Sequence, residues 1–252
     1  GTGGTNDATG AALTGLAASA PVVQIALRDR YDLGREFFRW ELATAAAGAV
    51  LEINPFDEPN VQESKDNTVR VLGEYLKGGD AAAGFNAEPA ARTGALRLYA
   101  PTPGGAPLAQ WEQAIRPGDY IAIMAYVDRS PEWEKALAEL RLALRDRHRV
   151  ATTVGFGPRF LHSTGQLHKG GANSGVFLQI TAAGATAAAD LAIPGQRYSF
   201  ATLLAAAARG DYESLAVHQR RLLRVDLADP AARGLAELTQ ALQPPAAESA
   251  AD

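Results

Sequence analysis

The sequence predicts an α/β protein whose largely parallel sheet is covered by helices on both faces, making three layers. Short apolar runs typical of buried strands alternate with longer segments of helical periodicity. The clearest strand is 120–127 (YIAIMAYV), and the helix predicted after it, 131–147, has Pro131 in its first turn, where a missing N–H costs little. In such sheets ligands bind at the carboxyl ends of the strands, so the loops there are the first places to look for function.

The other elements follow the same alternation. The predicted strands are 21–27, 95–99, 120–127, 150–154, 176–181 and 222–227. The predicted helices are 33–53, 60–77, 108–115, 131–147, 200–209 and 212–220, with a last one after Pro230. Asn54, Pro55 and Pro59 separate the first two helices, because proline and a preceding turn residue interrupt a helix.

The composition is ordinary for a soluble globular protein. Hydrophobic residues make up 47% of the chain and charged residues 21%, and 24 Lys and Arg stand against 28 Asp and Glu, a net charge of −4. This balance gives no electrostatic reason to expect nucleic acid or an anionic membrane as a partner. No cysteine is present, which excludes disulfides, thiolate catalysis and cysteine-ligated zinc and is consistent with a cytoplasmic location.

The segment 53–65, INPFDEPNVQESK, is the first candidate for chemistry. It reads as a helix end, a tight Asn-Pro turn and a new helix, on which Glu58, Gln62 and Lys65 share one face. The free N–H groups at the start of the new helix would suit an anionic ligand. The alternative is a helix–turn–helix corner with a solvated Glu–Lys pair, which is common on protein surfaces.

The segment 155–180, GFGPRFLHSTGQLHKGGANSGVFLQI, is the second candidate and reads as a glycine-rich loop after a strand. Glycines allow a ligand to approach the backbone closely, and the loop lacks both the Walker and the dinucleotide-binding patterns. Two histidines without a carboxylate cluster do not indicate a metal. The alternative is a structural loop with incidental histidines. The side chains that could hold phosphate or sugar hydroxyls are Arg159, His162, Ser163, Thr164, His168 and Lys169.

The first segment resembles a block of the phosphoglucose isomerase family, N-x-F-D-Q-x-x-V-E-x-x-K. The matching positions are Asn54, Phe56, Asp57, Val61 and Lys65. This resemblance implies a sugar-isomerase (SIS)-like fold, conversion of glucose 6-phosphate to fructose 6-phosphate without a cofactor, and a role for Lys65 in opening the sugar ring. An ammonium group suits that role because it can protonate or polarise the ring oxygen.

Two positions depart from the family block. Glu58 stands where the family usually has glutamine, and Gln62 where it often has glutamate. Glu58 brings a second negative charge to a phosphate-binding region, so the substrate contact that the resemblance implies for Glu58 is the one most open to test.

The second segment, with the later stretch IPGQRYSFATLLAAAARGDYESL, is similar to bacterial polypeptides in which the isomerase is fused behind transaldolase. The resemblance therefore covers most of residues 20–228. The family's base glutamate, its ring-opening histidine and its phosphate loop match nothing in this sequence. We therefore expect a chain that is incomplete at its N-terminus and inactive by itself, with the remaining isomerase and transaldolase portions as partners.

The resemblance also suggests how the chain is divided. We expect a disordered or truncated lead-in at 1–20, the remnant of an SIS-like subdomain at 21–76, a linker at 77–94, a second α/β subdomain at 95–243 and a disordered tail at 244–252. The expected ligand is a phosphorylated sugar, and a homo-oligomer is compatible with the sequence. Two alternatives remain open: a noncatalytic sugar-phosphate-binding module, and a structural piece that supplies subunit contacts.

Overall fold

The computed structural model describes residues 7–17, 19–78, 88–101, 105–182, 190–228 and 231–243. These residues belong to two compact units, Gly1–Asp57 and Glu58–Asp252. The sequence suggested a boundary at 77–94 instead. The helix before that segment groups with the second unit because it packs on two helices of that unit.

The first unit contains α1 (Asp7–Leu16) and α2 (Tyr31–Leu51). The helices of the second unit are α3 (Pro59–Leu76), α4 (Pro107–Gln113), α5 (Pro131–His148), α6 (Leu161–Gly170), α7 (Phe200–Val217) and α8 (Ala231–Ala241). Its strands are β1 (Ala91–Thr93), β2 (Leu96–Tyr99), β3 (Tyr120–Tyr126), β4 (Ala151–Phe156), β5 (Gly175–Ala182) and β6 (Arg221–Leu227).

In the first unit, α2 begins at a carboxylate and ends against a proline. Asp29 Oδ1 accepts hydrogen bonds from the backbone N–H groups of Tyr31 and Asp32, which satisfies two donors of the first turn. At the other end, a side chain at Gly48 would lie 2.6 Å from Pro55, so glycine is needed where the Asn-Pro turn folds back on the helix. The turn predicted between the first two helices is therefore present.

Two expectations for the first unit differ from the structure. Residues 21–27 form no strand, and Val23 is 83% exposed; within the described residues this unit offers no strand with which the segment could pair. The lead-in at 1–20, expected to be disordered or truncated, contains α1. The long helix that follows is confirmed as α2.

The second unit is built on one six-stranded sheet in the order β1-β2-β6-β5-β3-β4. Strands β6, β5, β3 and β4 are parallel, whereas β1, β2 and β6 are joined in antiparallel fashion. Helices α4, α5 and α8 cover one face, and α6 and α7 cover the other. The predicted α/β class, with helices on both faces of the sheet, is confirmed.

Local sequence explains where the helices begin and end. In α5, Ser130 caps the helix by accepting a hydrogen bond from the N–H of Trp133, and Pro131 occupies the first turn. Glutamates lie in the first turn and Arg145, Arg147 and His148 in the last, so both sets of charges complement the helix dipole.

Two further expectations for the second unit need correction. The segment predicted as a loop at 155–180 contains the end of β4 and the whole of α6. The strand predicted at 176–181, at the end of this segment, is confirmed as part of β5. The two helices predicted at 200–209 and 212–220 are one helix, α7, because Gly210 packs against α3 inside it rather than ending it. Residues 79–87 of the predicted linker and the predicted tail at 244–252 lie outside the described residues.

Candidate functional site

Helix α3 carries the second half of the INPFDEPNVQESK segment and packs on α6 and α7. Its buried side chains are Val61, Ser64, Val71 and Leu72, which recur at the three- and four-residue spacing of one helical face. Lys65 and Glu58 lie outside this face and are exposed. Among the described residues, no ion pair joins Lys65 to another side chain. The ammonium group predicted to act in catalysis is therefore open to solvent.

The start of α3 differs from the prediction of free N–H groups that would suit an anion. The carbonyl oxygen of Glu58 accepts from the N–H groups of Val61 and Gln62, and Pro59 has none to give. The remaining early donor, the N–H of Asn60, donates to Gln166 Oε1 at 3.0 Å. The side chain of Gln166 returns a hydrogen bond from Nε2 to Asn60 Oδ1 at 2.8 Å. The prediction is wrong because α6 caps α3.

On its other flank α3 is tied to α7 by a carboxylate–imidazole pair. His218 Nε2 donates to Glu63 Oε2 at 2.7 Å, and Ser214 Oγ donates to the other carboxylate oxygen at 2.8 Å. Burial alone would raise the pKa of the Glu63 carboxyl, but the hydrogen bonds from His218 and Ser214 hold it below its usual value. The side chain of His218 is half-buried in this network.

The start of α3 contacts the second half of α6. Asn60 forms hydrogen bonds with Gln166. Val61 packs against Gly165, where a Cβ atom would lie 3.4 Å from Cγ2 of Val61. Lys65 follows Val61 by one turn, about 6 Å along the axis. Among the described residues, no hydrogen bond or ion pair joins Lys65 to α6, whose first turn begins at Leu161.

That first turn carries the accessible part of the second sequence segment. Arg159 and His162 are exposed. The hydroxyls of Ser163 and Thr164 both donate to the carbonyl oxygen of Phe160, at 3.1 and 3.2 Å, so they serve the helix backbone. Arg159 and His162 are thus the side chains of this turn best placed to meet an anion.

His168, predicted as a substrate-binding residue, is inside the protein instead. Only 5% of its surface is exposed, and its ring packs among those of Tyr120, Phe160 and Phe177. Burial, with the nearby charge of Lys169 as a second cause, lowers the pKa of His168 to about 4. The imidazole is therefore a neutral packing group at pH 7.

Lys169 is also buried, contrary to the expectation that it would hold phosphate. Its Nζ lies 2.5 Å from Asp211 Oδ1, and neither side chain is exposed. The phenol of Tyr126 lies in the same region, and its pKa is raised well above the ordinary value, first by burial and then by the Asp211 carboxylate. Lys169 thus joins α6 to α7, and its charge is already matched.

Sequence reasoning missed the partners Asp211, Gln166 and His218. Asp211 sits in an alanine-rich helix beside a glycine, a pattern that reads as a break or a solvated corner. Gln166 and Asn60 are far apart in the chain, so nothing local indicates their pairing. In the described part of the chain, no group of three His, Cys, Asp or Glu residues is placed to hold a metal ion. None of the described helices is both long enough and apolar enough to cross a membrane.

Comparison with known proteins adds a limited likeness. No family model matches the chain. A glucose-6-phosphate isomerase from Acholeplasma laidlawii (strain PG-8A) is 40% identical over 53 residues, which are 21% of this chain and 12% of that protein. A hypothetical protein from Thermus thermophilus has a TM-score of 0.44 and 18% identity, covering 54% of this chain and 38% of that one. The chain is therefore similar, over a short part of its length, to a sugar-phosphate isomerase.

Proposed function

We propose that this chain forms part of an aldose–ketose isomerase that interconverts glucose 6-phosphate and fructose 6-phosphate. The observation that carries the proposal is the position of Lys65, exposed on a helix whose opposite flank is fixed to α6 and α7. The local likeness to a glucose-6-phosphate isomerase supports it. The finer proposals, an SIS-like fold and a polypeptide fused to transaldolase, are supported by the sequence motifs alone.

Lys65 would act when the sugar ring opens. Ring opening places negative charge on the ring oxygen as its bond to C1 breaks, and an ammonium group can stabilise that charge or transfer a proton to it. The exposed Arg159 and His162, beside the start of α6, would meet the phosphate or the hydroxyls. The base that moves the proton between C1 and C2 is assigned to no residue of this chain.

Binding of 6-phosphogluconate, an open-chain sugar phosphate, tests the proposal. Calorimetry on the 252-residue chain would compare the wild type with Lys65→Ala and with Lys135→Ala, a control at an exposed lysine of α5. We expect Lys65→Ala to weaken binding about tenfold or more, the scale of one charge-assisted hydrogen bond, and Lys135→Ala to leave it unchanged. Equal affinities for all three proteins would overturn the proposal.

A noncatalytic sugar-phosphate-binding module is the second candidate, favoured by the exposure of Arg159 and His162 on one turn. It predicts that Arg159→Ala and His162→Ala weaken binding of fructose 6-phosphate, whereas Lys65→Ala does not. The same titrations therefore separate the two functions.

A structural role is favoured by a different observation. Phe37, Phe38 and Trp40 of α2 are each at least 60% exposed, which is unusual for large apolar side chains close together. If this surface provides subunit contacts, Phe38→Asp should shift the mass measured by light scattering. A mass that is the same for both proteins argues against the structural role.

A further inference from the structure

We propose that Gln166 is a positioning residue for Lys65, acting by capping the helix on which Lys65 lies. This inference rests on the proposed function, since it assumes that Lys65 contacts the ligand. Gln166 itself lies on α6 and is assigned no contact with substrate.

Helix α3 has no side-chain cap of its own. Glu58 stands at the N-cap position, but its side chain makes no capping hydrogen bond. Proline at the first helical position removes one donor, and the carbonyl of Glu58 takes two more. The N–H of Asn60 is left, and it is satisfied by Gln166 Oε1 from a different helix.

The contact between Gln166 and Asn60 is reciprocal and closely packed. Gln166 accepts from the backbone of Asn60 and donates to its side chain, so the two residues are fixed in position and orientation. Space for both amides depends on Gly170. A Cβ atom there would lie 2.3 Å from Asn60 Oδ1 and 2.5 Å from Gln166 Nε2. We name these two hydrogen bonds, between Asn60 and Gln166, the α3 clasp.

The fold of α3 does not depend on the α3 clasp alone. The far half of α3 is held by Val71 and Leu72, which pack with Ala206 of α7. The near half depends on the clasp, on Val61 and on the Glu63–His218 pair. Without the clasp the first turns of α3 would loosen against α6. Lys65, in the second turn of the same helix, would then lose its fixed position.

A double-mutant cycle tests whether Gln166 acts through Lys65. Affinity for 6-phosphogluconate would be measured for Gln166→Met, for Lys65→Ala and for the two combined. We expect Gln166→Met to weaken binding about fivefold alone but less than about twofold in the Lys65→Ala background, because coupled residues are not additive. Equal effects in both backgrounds would overturn the inference, as would wild-type affinity in Gln166→Met.

Two more variants guard against a general loss of structure. Gln166→Glu keeps an acceptor for the N–H of Asn60 and should therefore bind more tightly than Gln166→Met. If Gln166→Met acts only through its altered side-chain shape, Gln166→Glu should bind no better. Gly170→Ala leaves Asn60 and Gln166 unchanged but displaces their side-chain amides, and it should weaken binding as much as Gln166→Met does. If neither holds, the clasp does not position Lys65. If Lys65→Ala alone binds like the wild type, the proposed function fails as well, so the two failures can be told apart.

Discussion

Lys169 Nζ lies 2.5 Å from Asp211 Oδ1, and both side chains are fully buried between α6 and α7. Two opposite charges buried in this way lose the favourable free energy of hydration, and their mutual attraction offsets that loss only in part. The pair is therefore costly to break from one side. It joins the two helices on which α3 rests, so the position of the candidate site depends on it.

The first prediction concerns this pair. Lys169→Met should destabilise the second unit by about 3–5 kcal/mol, because it leaves the Asp211 carboxylate buried without a counter-charge. The double change Lys169→Met with Asp211→Leu should recover much of the loss, since two apolar side chains need no partner. The measurement is the urea midpoint of unfolding, with Lys135→Met as the exposed control. A midpoint for Lys169→Met equal to that of the control would contradict the prediction.

The second prediction concerns pH and His168. Its folded-state pKa of about 4 lies below the value of 6.5 expected in the unfolded chain. As pH falls between these values, the unfolded chain binds a proton that the folded protein excludes. Stability from this group is therefore complete above pH 6.5 and is lost as pH falls towards 4, by about 3 kcal/mol in total.

Replacing the ring isolates this effect. His168→Phe should flatten the dependence of the unfolding midpoint on pH between about 4 and 6.5, the window set by the folded and unfolded pKa values of the imidazole. His162→Phe, at an exposed position, should leave the slope as in the wild type. An unchanged slope in His168→Phe would show that the buried imidazole is not the group responsible.

The third prediction compares two helical glycines. A Cβ atom at Gly210 would lie 3.0 Å from the backbone nitrogen of Thr68, whereas nothing lies within 4 Å of the corresponding position at Gly73. Gly210→Ala should therefore push α3 away from α7 and cost about 1–3 kcal/mol. Gly73→Ala should stabilise α3 by about 0.5–1 kcal/mol through helix propensity. Thermal unfolding of the two variants decides, and a shift of the same sign in both would contradict the explanation.

The sequence was sufficient for β2 to β6, because these strands are short apolar runs between helices of clear periodicity. It missed β1 and predicted a strand at 21–27 that is absent. It also placed Lys65 on the helix observed as α3. It failed for 155–180, where glycines, hydroxyls and histidines resemble a loop but are ordered as α6 by burial of His168 and Lys169. Those contacts are made with residues distant in the chain, which no local pattern records.

The same limit applies to charge. Lys169 looks like an available cation in the sequence, because lysine is rarely buried without a partner and the partner is not nearby. Only the fold shows that Asp211 matches it. Arg159 and His162, by contrast, are exposed as a binding role requires, and that role stays a prediction.

The last prediction addresses the departure from the isomerase block at Glu58. This exposed carboxylate stands at the N-cap of α3, seven residues before Lys65, and should repel a dianionic sugar phosphate that binds near Lys65. Glu58→Gln should therefore tighten binding of 6-phosphogluconate about two- to fivefold at low salt, and the gain should shrink at high salt because exposed charges are screened. Glu139→Gln, at an exposed glutamate of α5, is the matched control. If Glu58→Gln instead weakens binding, the Glu58 carboxylate itself contacts the ligand. The glutamate found here in place of the family's glutamine then preserves that contact.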